Sequence, residues 1–175
     1  GAAARSVGRL VHNVEAQVVG DDNVPLVIGE VGRVRYRGGA CAMAFYNNPE
    51  ATNEAFHEGW FYPGDLGKFD EGGRLYLVGR INDMIIRGGI NIYPAEIEQV
   101  LLGHGVVGDV AVVAWPSREL GEEVAAFVLA AGPVEEAELL AYCRAQLARY
   151  KVPRAVLFVD ALPRNGFGKV LKKDL

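Results

Sequence analysis

The sequence predicts an α+β fold in two parts, a small antiparallel β-barrel-like subdomain followed by a small three-stranded sheet with flanking helices. Three observations carry this prediction. The first half alternates apolar and polar residues in short runs punctuated by glycine, the pattern of brief antiparallel strands joined by tight turns. The second half interleaves two helical-period patterns with β-branched runs, the signature of helices packed on a sheet. The change of character falls between Arg80 and Asp83, which divides the chain into residues 1–81 and 82–175.

The elements follow in order. Glu15-Ala16-Gln17-Val18-Val19 alternates before a polar turn at Asp21-Asp22-Asn23, and Val31 to Arg37 alternates again before Gly38-Gly39. Trp60-Phe61 and Leu75-Tyr76-Leu77-Val78 are two more strand candidates, the second following a turn at Asp70-Glu71-Gly72-Gly73. Met84-Ile85-Ile86 is a short apolar strand ahead of a glycine pair. A helix then starts near Pro94, whose missing N–H is no loss in a first helical turn. Glu96 and Glu98 suit the positive end of that helix, while Ile97, Val100 and Leu101 share one face. Gly103 or Gly105 stops it. Strands are expected at Val110 to Ala114 and Val124 to Leu129. A second helix is expected from about Val134 to Ala148, with Leu139, Leu140, Cys143 and Leu147 at helical spacing. A last strand is expected at Val156 to Val159, and the tail Pro163 to Lys169 reads as a glycine-rich loop.

Composition narrows the functional classes. The 175 residues are 50% hydrophobic, enough for a packed core, and the net charge is −4. No basic stripe marks a nucleic-acid partner; Lys172-Lys173 alone does not make one. No apolar run reaches the roughly 20 residues of a membrane helix. The start, Gly1-Ala2-Ala3-Ala4-Arg5, lacks the pattern of a signal peptide and reads as a cut inside a longer chain or as an artificial junction. Cys41 and Cys143 are read as reduced thiols of a cytoplasmic protein.

Polar residues in glycine-flanked or strand-end settings are the candidate site. Asp65, between Gly64 and Gly67, could accept two hydrogen bonds from vicinal ribose hydroxyls, or it could be an ordinary turn aspartate. Arg80 ends a strand; its fork of donors suits a ribose or phosphate oxygen, or a surface ion pair with Asp83. Gly88-Gly89 would let backbone approach a ligand closely, as would any tight hairpin. Lys169 follows Gly166 and Gly168 on a loop. Its ammonium could neutralise charge developing on a transferring adenylyl group, or simply sit in solvent beside Lys172 and Lys173. The loop is not a P-loop, having neither the glycine spacing nor the Lys-Ser/Thr pair.

Taken in order, these segments resemble the adenylate-forming superfamily of acyl-CoA synthetases, peptide-synthetase adenylation domains and luciferases. Gly59-Trp60-Phe61-Tyr62-Pro63-Gly64-Asp65-Leu66-Gly67 is similar to its ribose-binding segment. Gly79 to Glu98, including Met84-Ile85-Ile86-Arg87-Gly88-Gly89-Ile90-Asn91-Ile92-Tyr93-Pro94, is similar to its hinge segment. Tyr150-Lys151-Val152-Pro153 with Leu162 to Lys169 is similar to its closing catalytic-lysine segment. The likeness spans nearly the whole chain.

The resemblance implies the carboxy-terminal portion of an AMP-forming ligase that joins a carboxylic acid to coenzyme A, using ATP and Mg2+ in the full-length parent. Residues 1–81 would be the β-rich end of the large N-terminal domain, and residues 82–175 a mobile lid. By the same resemblance Asp65 and Arg80 hold the ribose, Lys169 is catalytic in adenylation, Asp83 is the hinge, and Gly88, Gly89 and Asn91 face CoA. Acetylation of Lys169 would remove the charge the first step needs. No metal ligand is expected in this chain, and no tightly bound cofactor. Expected partners are the acid, ATP, CoA and the chain's own N-terminal domain.

Two departures bear on this. Pro63 stands where the family usually has threonine, which removes a hydroxyl near the nucleotide. The phosphate loop and the magnesium-associated glutamate are not among these residues, so the chain alone is expected to make no adenylate. The alternatives are a peptide-synthetase-type adenylation domain, which more often carries Gly-Phe-Arg-Ile-Glu in the hinge segment, and a noncatalytic binding or interaction module.

Overall fold

The computed structural model describes residues 6–175, whose contacts divide the chain into two units, Gly1–Asn82 and Asp83–Leu175. The first unit is built from short strands. These are β1 (Gly8–Arg9), β2 (Val14–Val19), β3 (Gly32–Gly38), β4 (Phe56–His57), β5 (Trp60–Phe61), β6 (Asp65–Phe69) and β7 (Arg74–Arg80), with one helix, α1 (Pro49–Ala55). They form one sheet in the order β1-β7-β6-β3-β5-β4, and β2 lies along the other edge of β3. All of its pairings are antiparallel.

The sheet is open, which corrects the barrel-like expectation. Closing a barrel needs strands long enough to tilt and stagger into one another. Strands β1, β4 and β5 are two residues each, and the order runs out at β1 and β4. The expected turns are present: Asp70 caps its own turn, accepting the Arg74 N–H at 2.8 Å, and Gly73 takes φ +69°. Helix α1 was absent from the expectation, although Asn48-Pro49-Glu50 is a start signal. The Asn48 side chain accepts the Ala51 N–H at 3.0 Å and Pro49 opens the first turn.

Val18 and Val19 of β2 and Val34 of β3 are buried, as are Trp60 and Leu66. Arg35 is buried among them and stays satisfied: it donates to the Gln17 amide oxygen at 3.0 and 2.6 Å and to the Tyr62 hydroxyl at 2.9 Å. Its guanidinium also lies 4.5 Å from the Trp60 ring centre, a cation–π distance. Gly67, like Gly32 and Gly38, leaves no room for a side chain. A Cβ at Gly67 would meet the Tyr76 carbonyl oxygen at 2.8 Å and Val34 Cγ2 at 2.9 Å. Gly67→Val is therefore expected to destabilise this unit by about 1–3 kcal/mol through overpacking, read as a lowered urea midpoint with unchanged m.

The second unit contains β8 (Ile85–Arg87), β9 (Ile90–Ile92), α2 (Pro94–Leu102), β10 (Val107–Ser117), β11 (Gly121–Ala130), α3 (Glu136–Gln146) and β12 (Ala155–Phe158). The three expected strands are β10, β11 and β12. The hairpin β8–β9 joins them, making five, because Arg87 pairs with Gly121 of β11. Strand β12 runs parallel to β11, and the other pairs are antiparallel.

Period-two alternation sorts the sheet's faces. Val110, Val112, Val124, Ala126 and Val128 pack against Ile97 and Leu101 of α2 and Leu139 and Cys143 of α3. Ala111, Ala125 and Phe127 form a second cluster with Leu162, and Val170 and Leu175 pack against it, so the tail covers the opposite face. Helix α3 begins two residues later than expected because Glu135 is still extended, at φ −95° and ψ 148°. Both cysteines are free thiols, and burial pushes Cys143 up to about 11. Among the described residues no helix is long and apolar enough to cross a membrane.

Candidate functional site

The candidate residues lie in both units, and each group is built by its own local structure. In the first unit Asp65 opens β6 and Arg80 closes β7, and the antiparallel register sets them directly opposite. The Asp65 carboxylate and Arg80 Nε are 3.1 Å apart, with Asp65 largely covered and Arg80 half exposed. The expected alternative partner of Arg80, Asp83, is not its ion-pair partner. Gly64 makes this geometry possible: its φ is +81°, and its carbonyl accepts the Ile81 N–H at 2.9 Å, which closes the end of the β6–β7 pair. Burial, with the thiol of Cys41 and the carboxylate of Asp65 close by, raises the Tyr36 phenol. A carboxylate held at one edge by a guanidinium keeps lone pairs free for two further donors.

In the second unit Gly88 and Gly89 are the two turn residues of the β8–β9 hairpin, with φ +56° and +81°. Two consecutive positive φ values belong to the mirror-image hairpin turn that glycine pairs favour. The hairpin is pinned to residues 120–123 at three points. The Gly88 N–H donates to the Leu120 carbonyl at 2.9 Å, and the Ile86 N–H to Glu122 Oε2 at 2.6 Å. The Arg87 guanidinium grips Glu123 through Nε at 2.5 Å and Nη2 at 3.1 Å. That fork depresses the Glu123 carboxyl below its ordinary value. Asn91 sits opposite Ile86 with its side chain exposed.

Lys169 sits in a hairpin more ordered than the expected open loop. Arg164 and Val170 bridge its base, the Asn165 N–H donates to the Lys169 carbonyl at 2.9 Å, and Gly168 takes φ +83°. The Asn165 side-chain oxygen accepts the N–H groups of Phe167 at 3.0 Å and Lys169 at 2.9 Å. The Arg164 guanidinium reaches both the Asp109 carboxylate and the Gly168 carbonyl. The Lys169 ammonium itself is exposed and has no side-chain partner among the described residues. It is a fixed backbone presenting an uncommitted charge.

Asp83 ends the short 3-10 turn Ile81–Asp83, at the border between the units. Its carboxylate lies 3.9 Å from Lys172 Nζ, which in turn is 2.7 Å from Glu98 Oε1. Lys172, expected to be a solvated neighbour of Lys169, is thus three-quarters covered and ion-paired. The sequence signal was Glu98 in the first turns of α2, read there only as a dipole-compensating charge.

Residues 96–169 match the family model of the AMP-binding enzyme C-terminal domain. A long-chain-fatty-acid–CoA ligase (FadD13) of Mycobacterium tuberculosis is 45% identical over 98% of this chain and 34% of its own length. A 2-succinylbenzoate–CoA ligase of Bacillus cereus is 41% identical over 97% of this chain and 35% of its own. The chain therefore spans about a third of the length of the curated relatives it matches. Among solved structures, the o-succinylbenzoate CoA synthetase of Bacillus subtilis in complex with its acyl-adenylate intermediate superposes with a TM-score of 0.93. It is 35% identical over 97% of this chain and 35% of that one. An amide bond synthetase of Marinactinospora thermotolerans superposes at 0.89, also at 35% identity, over 97% of this chain and 35% of its own.

Proposed function

We propose that this chain, which belongs to the adenylate-forming superfamily as its carboxy-terminal portion, supplies the ribose-holding edge, the hinge and the mobile lid of an ATP-dependent carboxylic acid–CoA ligase. The observation that carries this is the joint presence of an ion-paired Asp65–Arg80 edge and an exposed, unpartnered Lys169 on a rigid hairpin. In the first step a carboxylate oxygen attacks the α-phosphorus of ATP, the bond to the bridging oxygen breaks, and pyrophosphate leaves. Asp65 accepts the ribose hydroxyls and Arg80 steadies that carboxylate. Lys169 places positive charge where negative charge grows on the α-phosphoryl oxygens.

In the second step the thiol of CoA attacks the acyl carbonyl and AMP leaves with the bonding electrons. Asp83 absorbs the backbone rotation between the steps, so residues 82–175 act as a lid on the β-rich end, residues 1–81. The Gly88-Gly89 turn, with no side chain beyond Cα, and the exposed Asn91 border the path of the thiol arm. The Bacillus subtilis relative in complex with ATP and magnesium ion supports both as parts of the reaction. The described residues contain no group of three or more His, Cys, Asp or Glu side chains able to hold an ion. We place the reaction in the cytoplasm, where ATP and CoA are available, and fatty acids are one substrate class among others, since the relatives include a succinylbenzoate ligase.

The test is the full-length enzyme with ATP, CoA and a panel of aliphatic, aromatic and dicarboxylic acids. AMP, pyrophosphate and acyl-CoA are expected in equal amounts with at least one acid, and pyrophosphate release is not expected from residues 1–175 alone. ADP as the nucleotide product would overturn the reading. The amide-forming relative favours one second reading, an amine acceptor in place of CoA; amide product with CoA left unconsumed would select it.

A further inference from the structure

We propose that Lys172 is a positioning residue for Lys169: it clamps the lysine-bearing hairpin to the body of the second unit and ties it to Asp83. This rests on the function proposed above. The hairpin is held at both of its ends. At the entry Arg164 pairs with Asp109 of β10. At the exit the Leu171 N–H donates to the Pro163 carbonyl at 2.8 Å, and the chain turns into the 3-10 segment Lys172–Asp174. Lys172 Nζ then reaches Glu98 Oε1 of α2 at 2.7 Å. That same oxygen accepts the Val112 N–H of β10 at 2.9 Å, so the carboxylate is fixed between helix and sheet before the lysine arrives.

Energetics argue against a purely stabilising role. Lys172 and Glu98 are both largely covered, and a covered ion pair roughly breaks even against apolar residues of the same size. Apolar contacts already hold this tail, with Val170 and Leu175 packed on the cluster around Phe127. What the pair adds is direction and reach. Its ammonium is shared with Asp83 at 3.9 Å, so a change in the Asp83 backbone displaces a carboxylate beside the residue three positions from Lys169. Without the clamp the hairpin would keep the Arg164 pair and its apolar contacts but lose the polar tie at its exit, and a displacement of about 1 Å at the reacting group can cost a factor of about 100 in rate.

The experiment uses the full-length enzyme and separates the two half-reactions. Lys172→Met should lower the rate constant for adenylate formation by about 10–100-fold with the KM for ATP unchanged. Thioester formation from supplied adenylate should stay at the wild-type rate, and Lys172→Arg should recover adenylation. Independently of turnover, amide exchange at Phe167 and Lys169 should quicken in Lys172→Met while the melting midpoint holds. Glu98→Gln, which keeps the acceptor for Val112, should reproduce both effects and serves if Lys172→Met does not fold. Wild-type exchange rates in both variants, or equal loss in the two half-reactions, would overturn the clamp. A wild-type enzyme that adenylates no acid would instead sink the function proposed above, and the exchange measurement would still decide the role of Lys172.

Discussion

Lys169→Gln in the full-length enzyme is expected to slow acyl-adenylate formation by about 100–1000-fold while leaving thioester formation from supplied adenylate close to wild type. The magnitude is that of removing one preorganised charge from a site where charge develops in the transition state. Structure makes the experiment clean. The side chain is exposed and makes no hydrogen bond or ion pair among the described residues, whereas the backbone is fixed through Asn165. Glutamine removes the charge and leaves those backbone bonds in place, so stability should change by no more than about 0.5 kcal/mol. A contact made in the transition state but not in the ground state lowers kcat and kcat/KM together, so KM for ATP and for the acid should hold. Pre-steady-state measurement of pyrophosphate release, with a separate assay from supplied adenylate, reads both halves. Equal loss in the two would mean that Lys169 serves the lid's architecture and not the first step.

What the sequence made legible, and what it hid, follows from the range of the interactions concerned. Period-two alternation and β-branched runs mark β2, β3, β10 and β11 because burial of one face is written locally in every second residue. The turn at Asp70–Gly73 and the glycine pair at Gly88–Gly89 are equally local, each requiring its own φ values. Closure of a sheet is not local. Whether β1 and β4 meet depends on strand length and stagger summed over the sheet, and two-residue strands give no periodicity to read. Strands β8 and β9 were half visible for the same reason: three residues apiece show an apolar run but not the β11 edge that they join.

The site divides in the same way. Each candidate residue could be picked from its flanking glycines or its place at a strand end. Their partners could not. Arg80 has Asp83 three residues away, yet the β6–β7 register delivers Asp65 from fifteen residues back. Lys172 reads as one of two solvated lysines until α2 brings Glu98 to it across 74 positions. Ion pairs between distant segments leave no mark on sequence spacing, because a charged residue looks the same whether it is solvated or paired. Lys169, by contrast, was legible as exposed, since its glycine-flanked setting offers few neighbours able to cover it.

Asp65→Asn tests the other unit, and its effect should fall on binding rather than on turnover. Asparagine keeps the shape but loses the charge, and one of its two heads becomes a donor facing donors. Hydrogen bonds to a charged group contribute about 1.5–3 kcal/mol, so the KM for ATP should rise by about 10–100-fold. A ribose contact of this kind would be the same before and during adenylyl transfer; uniform binding changes KM and leaves kcat near wild type. The Arg80 guanidinium would lose its partner at 3.1 Å, but it is half exposed and can turn to water, so little stability should go with it. Pro63 sharpens the expectation. With no hydroxyl at that position to share the load, the proposed ribose contact would rest more heavily on Asp65 than a threonine would allow. Steady-state kinetics with ATP varied at saturating acid and CoA give the split directly. A fall in kcat at unchanged KM would move Asp65 from nucleotide binding to the chemistry of the first step, and unchanged kinetics would return it to the role of a turn residue.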